Sequence, residues 1–141
     1  MKRMRLVIVF MLILMLVAPA ASGDVRYAVK DLGTDTAYGV NNRGQVVGGN
    51  DFGRAYLWDS LTGMRDLGTI GGNTSVAYSV NDLGQVVGQS ATANGGSHAF
   101  MWENGIMTDL GLPFPQYDRG SQARDVNDKG QVIGGGGDAL S

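Results

Sequence analysis

The sequence predicts an all-β protein built from tandem four-stranded antiparallel units, and three observations carry that prediction. Residues 37–48, 77–88 and 123–134 align without gaps around a shared Val-Asn-x-x-Gly-Gln-Val-(Val/Ile)-Gly, at offsets of 40 and 46 residues. Beyond residue 22 no stretch spaces apolar residues at helical intervals over three turns, and an amphipathic helix needs that spacing. All 23 glycines also lie beyond residue 22, where each would weaken a helix interior. A fixed order of matched pieces at varying offsets means that loops absorb the length changes while one structural unit persists.

The chain opens with a different kind of segment. Lys2, Arg3 and Arg5 form a positive start, residues 6–17 are an unbroken run of twelve apolar residues, and Ala18, Ala20, Ala21 and Ser22 supply small residues around Pro19. This is the layout of an export signal, with residues 1–22 as an N-terminal signal helix cleaved after Ala20 or Ser22. Twelve helical residues span only about 18 Å, short of the ~30 Å of a bilayer core. No stable membrane anchor is therefore expected after cleavage, and no cysteine follows that could carry a lipid. The expected location is secreted, extracellular or cell-surface, by bacterial export.

Residues 23–141 then form one repeat domain. Residues 27–32 read as a lone fourth strand, followed by a unit over about residues 37–68, a second over 77–111 and a partial third over 123–134. Ala-Tyr-x-Val and Gln-Val-Val carry the aromatic and β-branched bias of strands on either side of a tight turn. Asn41, Asn81 and Asn127 stand at the first turn position, where a side-chain oxygen can bond the backbone two residues on. Gly44, Gly84 and Gly130 follow where φ must be positive, giving a three-residue loop with a G1 bulge. The third strand is Ala-(Tyr/Phe)-(Leu/Met)-Trp at residues 55–58 and 99–102, and a turn through Gly63 or Gly105 leads into the fourth. Four antiparallel strands in about 40–46 residues make one β-propeller blade. The strands number eleven, fewer than three blades. The layout implies either a shortened array or a staggered assembly that self-associates through unpaired blade edges.

The combined pattern of (Arg/His)-Ala-(Tyr/Phe)-x-Trp, Asp-Leu-Gly, Gly-Gly-x-x-Ser-x-Ala and Val-Asn-x-x-Gly-Gln-Val-Val-Gly resembles the bacterial extracellular HAF repeat. That repeat is named for a His-Ala-Phe present here as His98-Ala99-Phe100. The fullest copy runs over residues 66–88, and the resemblance covers about residues 27–134. It implies an exported repeat protein, commonly with further repeats and sometimes with a C-terminal surface-sorting segment. No apolar helix or basic tail follows Gly134, so that segment is not expected here. The resemblance brings no established catalytic residues.

Without residues 1–22 the chain has 119 residues, a net charge of −5 and about 37% apolar content, enough for one small domain. An acidic chain without a cationic patch is a poor nucleic-acid binder. The absence of Cys excludes disulfides and thiolate metal sites, and no cofactor is implied. His98 is the only histidine, so any His-based triad or imidazole metal site would need it. Its counterpart Arg54 points instead to a structural donor at the start of a strand. Asp31, Asp66 and Asp109 recur at the Asp-Leu-Gly end. That favours turn capping or a bond between units over a carboxylate pair about 5–9 Å apart across a cleft. The Asn-(Asn/Asp)-x-Gly loops lack the acidic spacing and bidentate Glu of a calcium loop. Gly71-Gly72 and residues 134–137 lack the Lys-Ser/Thr and helix start of a phosphate loop.

Tyr56 with Trp58, and Phe100 with Trp102, share one face of the third strand. They read first as packing between units and second as a stacking platform for sugar rings, weak singly and reinforced by repetition. The expected function is an exported, non-enzymatic repeat protein that binds or scaffolds at the cell surface or outside it. One alternative is a carbohydrate-binding, lectin-like module with those four aromatics as its ligand surface. Another is a propeller-type hydrolase using Asp118, Arg119, Arg124 and Asp125 in the linker before the third unit. A third is a degenerate fragment of a longer repeat protein.

Overall fold

The structure, a computed structural model, describes residues 12–17, 26–33, 36–112 and 120–137. These residues contain no helix and twelve strands. The strands are β1 Leu12–Val17, β2 Arg26–Asp31, β3 Thr36–Val40, β4 Val46–Gly49, β5 Ala55–Asp59, β6 Gly63–Gly68, β7 Gly71–Val80, β8 Val86–Thr92, β9 Ser97–Glu103, β10 Ile106–Gly111, β11 Ser121–Val126 and β12 Val132–Gly136. The sheets are antiparallel: β3 to β6 form one four-stranded meander, β7 to β10 a second, β11 and β12 a hairpin, and β1 pairs with β2.

The hairpin joining the first two strands of each unit forms for the reason its sequence gives. Asn41 Oδ1 accepts from the Arg43 and Gln45 amides at 3.1 and 2.9 Å. The Gly44 amide closes the turn on the Asn41 carbonyl at 3.1 Å. Asn81 and Asn127 repeat these bonds. Gly44, Gly84 and Gly130 take φ of 74°, 82° and 73°, the left-handed conformation of a G1 bulge. A second bulge, which the sequence reading does not contain, shifts the register at Tyr38, Tyr78 and Arg124. It drives a first-strand carbonyl against the glycine of the second strand. A Cβ on Gly48, Gly88 or Gly134 would lie 1.8, 1.9 or 2.0 Å from the oxygen of Thr36, Val76 or Gln122. Only hydrogen fits there.

The core lies between units. One buried cluster joins Val47, Ala55, Leu57 and Leu67 of the first meander to Ala77, Val80, Val86, Phe100 and Trp102 of the second. A second joins Val87 and Ala99 to Ala123 and Val126 of the hairpin. In both layers the first strand of the later unit lies against the middle of the earlier sheet, β7 on β4 and β11 on β8. A residue with no preceding layer is left open. Val80 and Val126 are 6% and 5% exposed, whereas their counterpart Val40 is 61% exposed.

The N-terminal segment departs from expectation. Leu12–Val17, inside the run expected to form the signal helix, is a strand, with Leu14 opposite Val29 and Leu12 opposite Asp31. β2 is the lone fourth strand of the repeat pattern, so its inner edge offers unpaired backbone groups that an apolar extended segment can satisfy. The rest of residues 1–22, with both cleavage positions Ala20 and Ser22, lies outside the described residues. No helix among the described residues is long and apolar enough to cross a membrane.

Gly88→Ala is expected to lower stability by about 3 kcal/mol, the upper end for an overpacked core site, because the opposing atom is backbone and cannot swing away. Urea unfolding followed by tryptophan fluorescence measures it, against Gly135→Ala, where a Cβ meets nothing within 4 Å and φ is not positive.

Candidate functional site

Polar side chains gather where the three asparagine hairpins line up, around a groove of about 260 Å³. Its walls are Asn41, Asn81, Asn127 and their neighbours Asn42, Asp82 and Asp128, over a floor of Val40, Val80 and Val126. These groups bond to one another. Asn41 Nδ2 donates to the Asn81 carbonyl at 2.8 Å, and Asn81 Nδ2 donates to the Asn127 carbonyl at 2.8 Å. One residue on, the Asn42 amide donates to Asp82 Oδ1 at 2.9 Å and the Asp82 amide to Asp128 Oδ1 at 2.8 Å. The hairpins are therefore rungs of one ladder. The Asn42 side chain adds a 2.7 Å bond to Asp82 Oδ2. Hydrogen bonds from the Asn42 side chain and backbone hold the Asp82 carboxyl below its ordinary pKa, with the Arg43 charge a smaller contribution.

The Asp-Leu-Gly carboxylates are turn caps, as one of the two sequence readings had it. Asp31, Asp66 and Asp109 accept from the Gly33, Gly68 and Gly111 amides at 2.8, 2.8 and 2.7 Å. His98 Nδ1 sits 3.0 and 2.9 Å from the two Asp109 oxygens, and Arg54 Nε sits 3.9 Å from Asp66. The sole histidine thus occupies a position that an arginine fills one unit earlier. Two buried serine hydroxyls are engaged between units. Ser75 Oγ donates to the Gly68 carbonyl at 2.6 Å and accepts from the Ala55 amide at 2.9 Å. Ser121 donates to the Gly111 carbonyl and accepts from the Ala99 amide. Each serine stands on the first strand of one unit and pins the third and fourth strands of the unit before it.

Three of the four aromatics named as a sugar-stacking surface are buried. Tyr56 and Phe100 are wholly buried and Trp102 nearly so; in the second unit that face of the third strand turns toward the first meander rather than toward solvent. Phe100 and Trp102 belong to the cluster between the two meanders. Trp58 is half-buried under Lys30, whose Nζ lies 4.3 Å from the ring centroid. The Arg65 guanidinium lies 5.9 Å from Trp102 in the same relation. In each case a fourth-strand cation covers the third-strand Trp of the next unit, a contact worth about 0.5–1 kcal/mol at exposed sites.

Of the linker residues singled out for a hydrolase, Asp118 and Arg119 lie outside the described residues. Arg124 stacks over Tyr78 at 5.0 Å, and Asp125 accepts from Ser79 Oγ at 2.5 Å. Both join units. No group of three or more His, Asp or Glu among the described residues is arranged to hold a metal ion. The ladder, the serine pins and the stacked bulge residues Tyr38 and Tyr78, 5.6 Å apart edge to face, are what sequence reasoning missed. The signal was present, since each set recurs in register with the asparagines.

Asn81→Ala removes the turn acceptor and the ladder donor from a side chain only 4% exposed, so a loss of about 2–3 kcal/mol is expected. Asn127→Ala, at an exposed rung, should cost about 1 kcal/mol or less. Urea midpoints of the two variants give the order. A carboxyl with a lowered folded pKa stabilises above its unfolded pKa and loses that contribution as pH falls through the folded value. Melting temperature should therefore fall in acid below the ordinary carboxylate range, and Asp82→Asn should make that limb shallower.

Comparison with known protein families, with curated proteins and with solved structures finds no match.

Proposed function

We propose that this chain is an exported, non-enzymatic repeat protein of the HAF type, its units packed as β-propeller-like blades, that binds or scaffolds at the cell surface or outside it. One observation carries the reading. The hairpin asparagines, which line the polar groove described above, are committed in the same roles at separations of 40 and 46 residues to joining each unit to the next. Such an array offers repeated surface rather than one asymmetric constellation, and its stability is a sum of units and interfaces. Export is supported by the charge, apolar run and small residues of positions 1–22. In this reading Leu12–Val17 leaves with the signal, and β2 is then free to pair elsewhere.

Two measurements test this. The full chain produced in a bacterial host should be recovered outside the cytoplasm with Ala21 or Gly23 as its first residue by mass spectrometry. Recovery of the unprocessed chain in the cytoplasm alone overturns the export reading. Turnover of a polysaccharide, peptide or ester substrate by the processed chain, lost in Asp109→Asn or Asp125→Asn, overturns the non-enzymatic one.

A further inference from the structure

We propose that Asn104-Gly105 is a self-modification site. The Asn104 carboxamide becomes a carboxylate through a cyclic imide closed by the Gly105 backbone nitrogen, with no enzyme required. The sequence contains two Asn-Gly steps, Asn94-Gly95 and Asn104-Gly105, and the fold treats them differently. Glycine favours this reaction because no side chain shields its nitrogen and its φ is free to change sign.

Asn104 and Gly105 are the two central residues of the hairpin joining β9 to β10, which Glu103 and Ile106 close as a strand pair. Their φ values are 52° and 88°, the two positive angles of a type I′ turn. Both residues are exposed, and a Cβ on Gly105 would meet nothing within 4 Å. Closing a five-membered ring needs the Gly105 nitrogen eclipsed with Asn104 Cβ, at a ψ of about −120°, which is the ψ of the first central residue in a type II′ turn. That turn is the other connection that fits a two-residue hairpin. Turning over the one peptide between Asn104 and Gly105 converts the first turn into the second. It keeps φ of Asn104 positive, reverses φ of Gly105 and leaves Glu103 opposite Ile106. Among the described residues the Gly105 amide makes no hydrogen bond, so the rotation breaks none.

Asn94-Gly95 lacks this freedom. The Gly95 amide closes its turn on the Thr92 carbonyl at 3.2 Å, and the Gly96 amide donates to Thr92 Oγ1 at 3.1 Å. Rotating the peptide between Asn94 and Gly95 breaks the closing bond. The ladder protects its own asparagines in the same way. Both carboxamide atoms of Asn41 and Asn81 are engaged. The nitrogens that would attack them, on Asn42 and Asp82, donate to the carboxylates of Asp82 and Asp128.

The chemistry balances with water alone. The Gly105 nitrogen gives its proton to solvent base and bonds to Asn104 Cγ, and the Cγ–Nδ2 bond breaks to release ammonia. One water then opens the imide. Opening at Cγ leaves aspartate at position 104, whereas opening at the backbone carbonyl routes the main chain through Cγ and lengthens the turn by one carbon. Either product places a negative charge beside Glu103, which accepts from Gln85 Nε2 at 3.1 Å.

The purified full chain, incubated in neutral buffer made with heavy-oxygen water, is digested and read by mass spectrometry with fragmentation that separates aspartate from its chain-lengthened isomer. Position 104 should take up the label in the folded chain about tenfold faster than position 94, the factor that one turn hydrogen bond supplies. In concentrated urea the two positions should convert at similar rates, and positions 41 and 81 should convert there alone. Equal rates at 94 and 104 in the folded chain, or conversion at 104 that needs urea, overturns the proposal. Aspartate at 104 without the chain-lengthened isomer also overturns it, since direct hydrolysis then bypasses the imide.

Discussion

The asparagine amide that reaches from one hairpin to the carbonyl of the next is the interaction on which the rest of the structure depends. Its oxygen holds its own turn closed, and its nitrogen fixes the distance and angle to the neighbouring turn. One side chain thus sets both the shape of a unit and the register between units. Everything further along the strands inherits that register. The bulge residues stack, Ser75 and Ser121 reach the strands they pin, and the fourth-strand cations arrive over tryptophans. An aspartate in place of Asn81 would keep the turn acceptor and lose the donor, so it would close a hairpin without aligning the next.

Hydrophobic burial gives the layers most of their cohesion, at roughly 25 cal/mol per Å² removed from water, but by itself it is indifferent to small slides of one sheet over another. The interior between units is built largely from valine, alanine and leucine with one Phe and one Trp. Such surfaces pack in more than one offset. Directional bonds at the ladder and at the serine pins remove that freedom, since a slipped layer would leave buried amides and hydroxyls without partners. Asn81, Ser75 and Ser121 are all buried polar residues, which is where such a penalty is largest.

Much of this was legible in the residues. The eleven strands from Arg26 onward, the turn geometry at Asn41, Asn81 and Asn127, and the capping role of Asp66 and Asp109 follow from local chemistry that acts within a few positions. Two things were not legible. The ladder and the second bulge depend on how one unit meets another, and a turn-forming asparagine looks the same whether its amide faces water or a neighbour's carbonyl. The aromatics were ambiguous because alternation along a strand says which side chains share a face and not what covers that face. Leu12–Val17 shows the converse limit. An apolar run satisfies its backbone as readily on a sheet edge as in a helix, so its own sequence does not select between them.

The connections between strands are unequal at the two ends of the sheets. At the ladder end every asparagine loop has the same length, and its atoms are committed to the neighbouring loop. At the opposite end the passage from β6 to β7 takes residues 69–70, whereas that from β10 to β11 takes residues 112–120. Between the two units the largest difference in length falls at the end away from the rungs, where it leaves them aligned. The repeat therefore separates a spine of uniform loops from a rim of unequal ones, and foreign loops grafted between β4 and β5 or between β10 and β11 should be displayed without disturbing the fold.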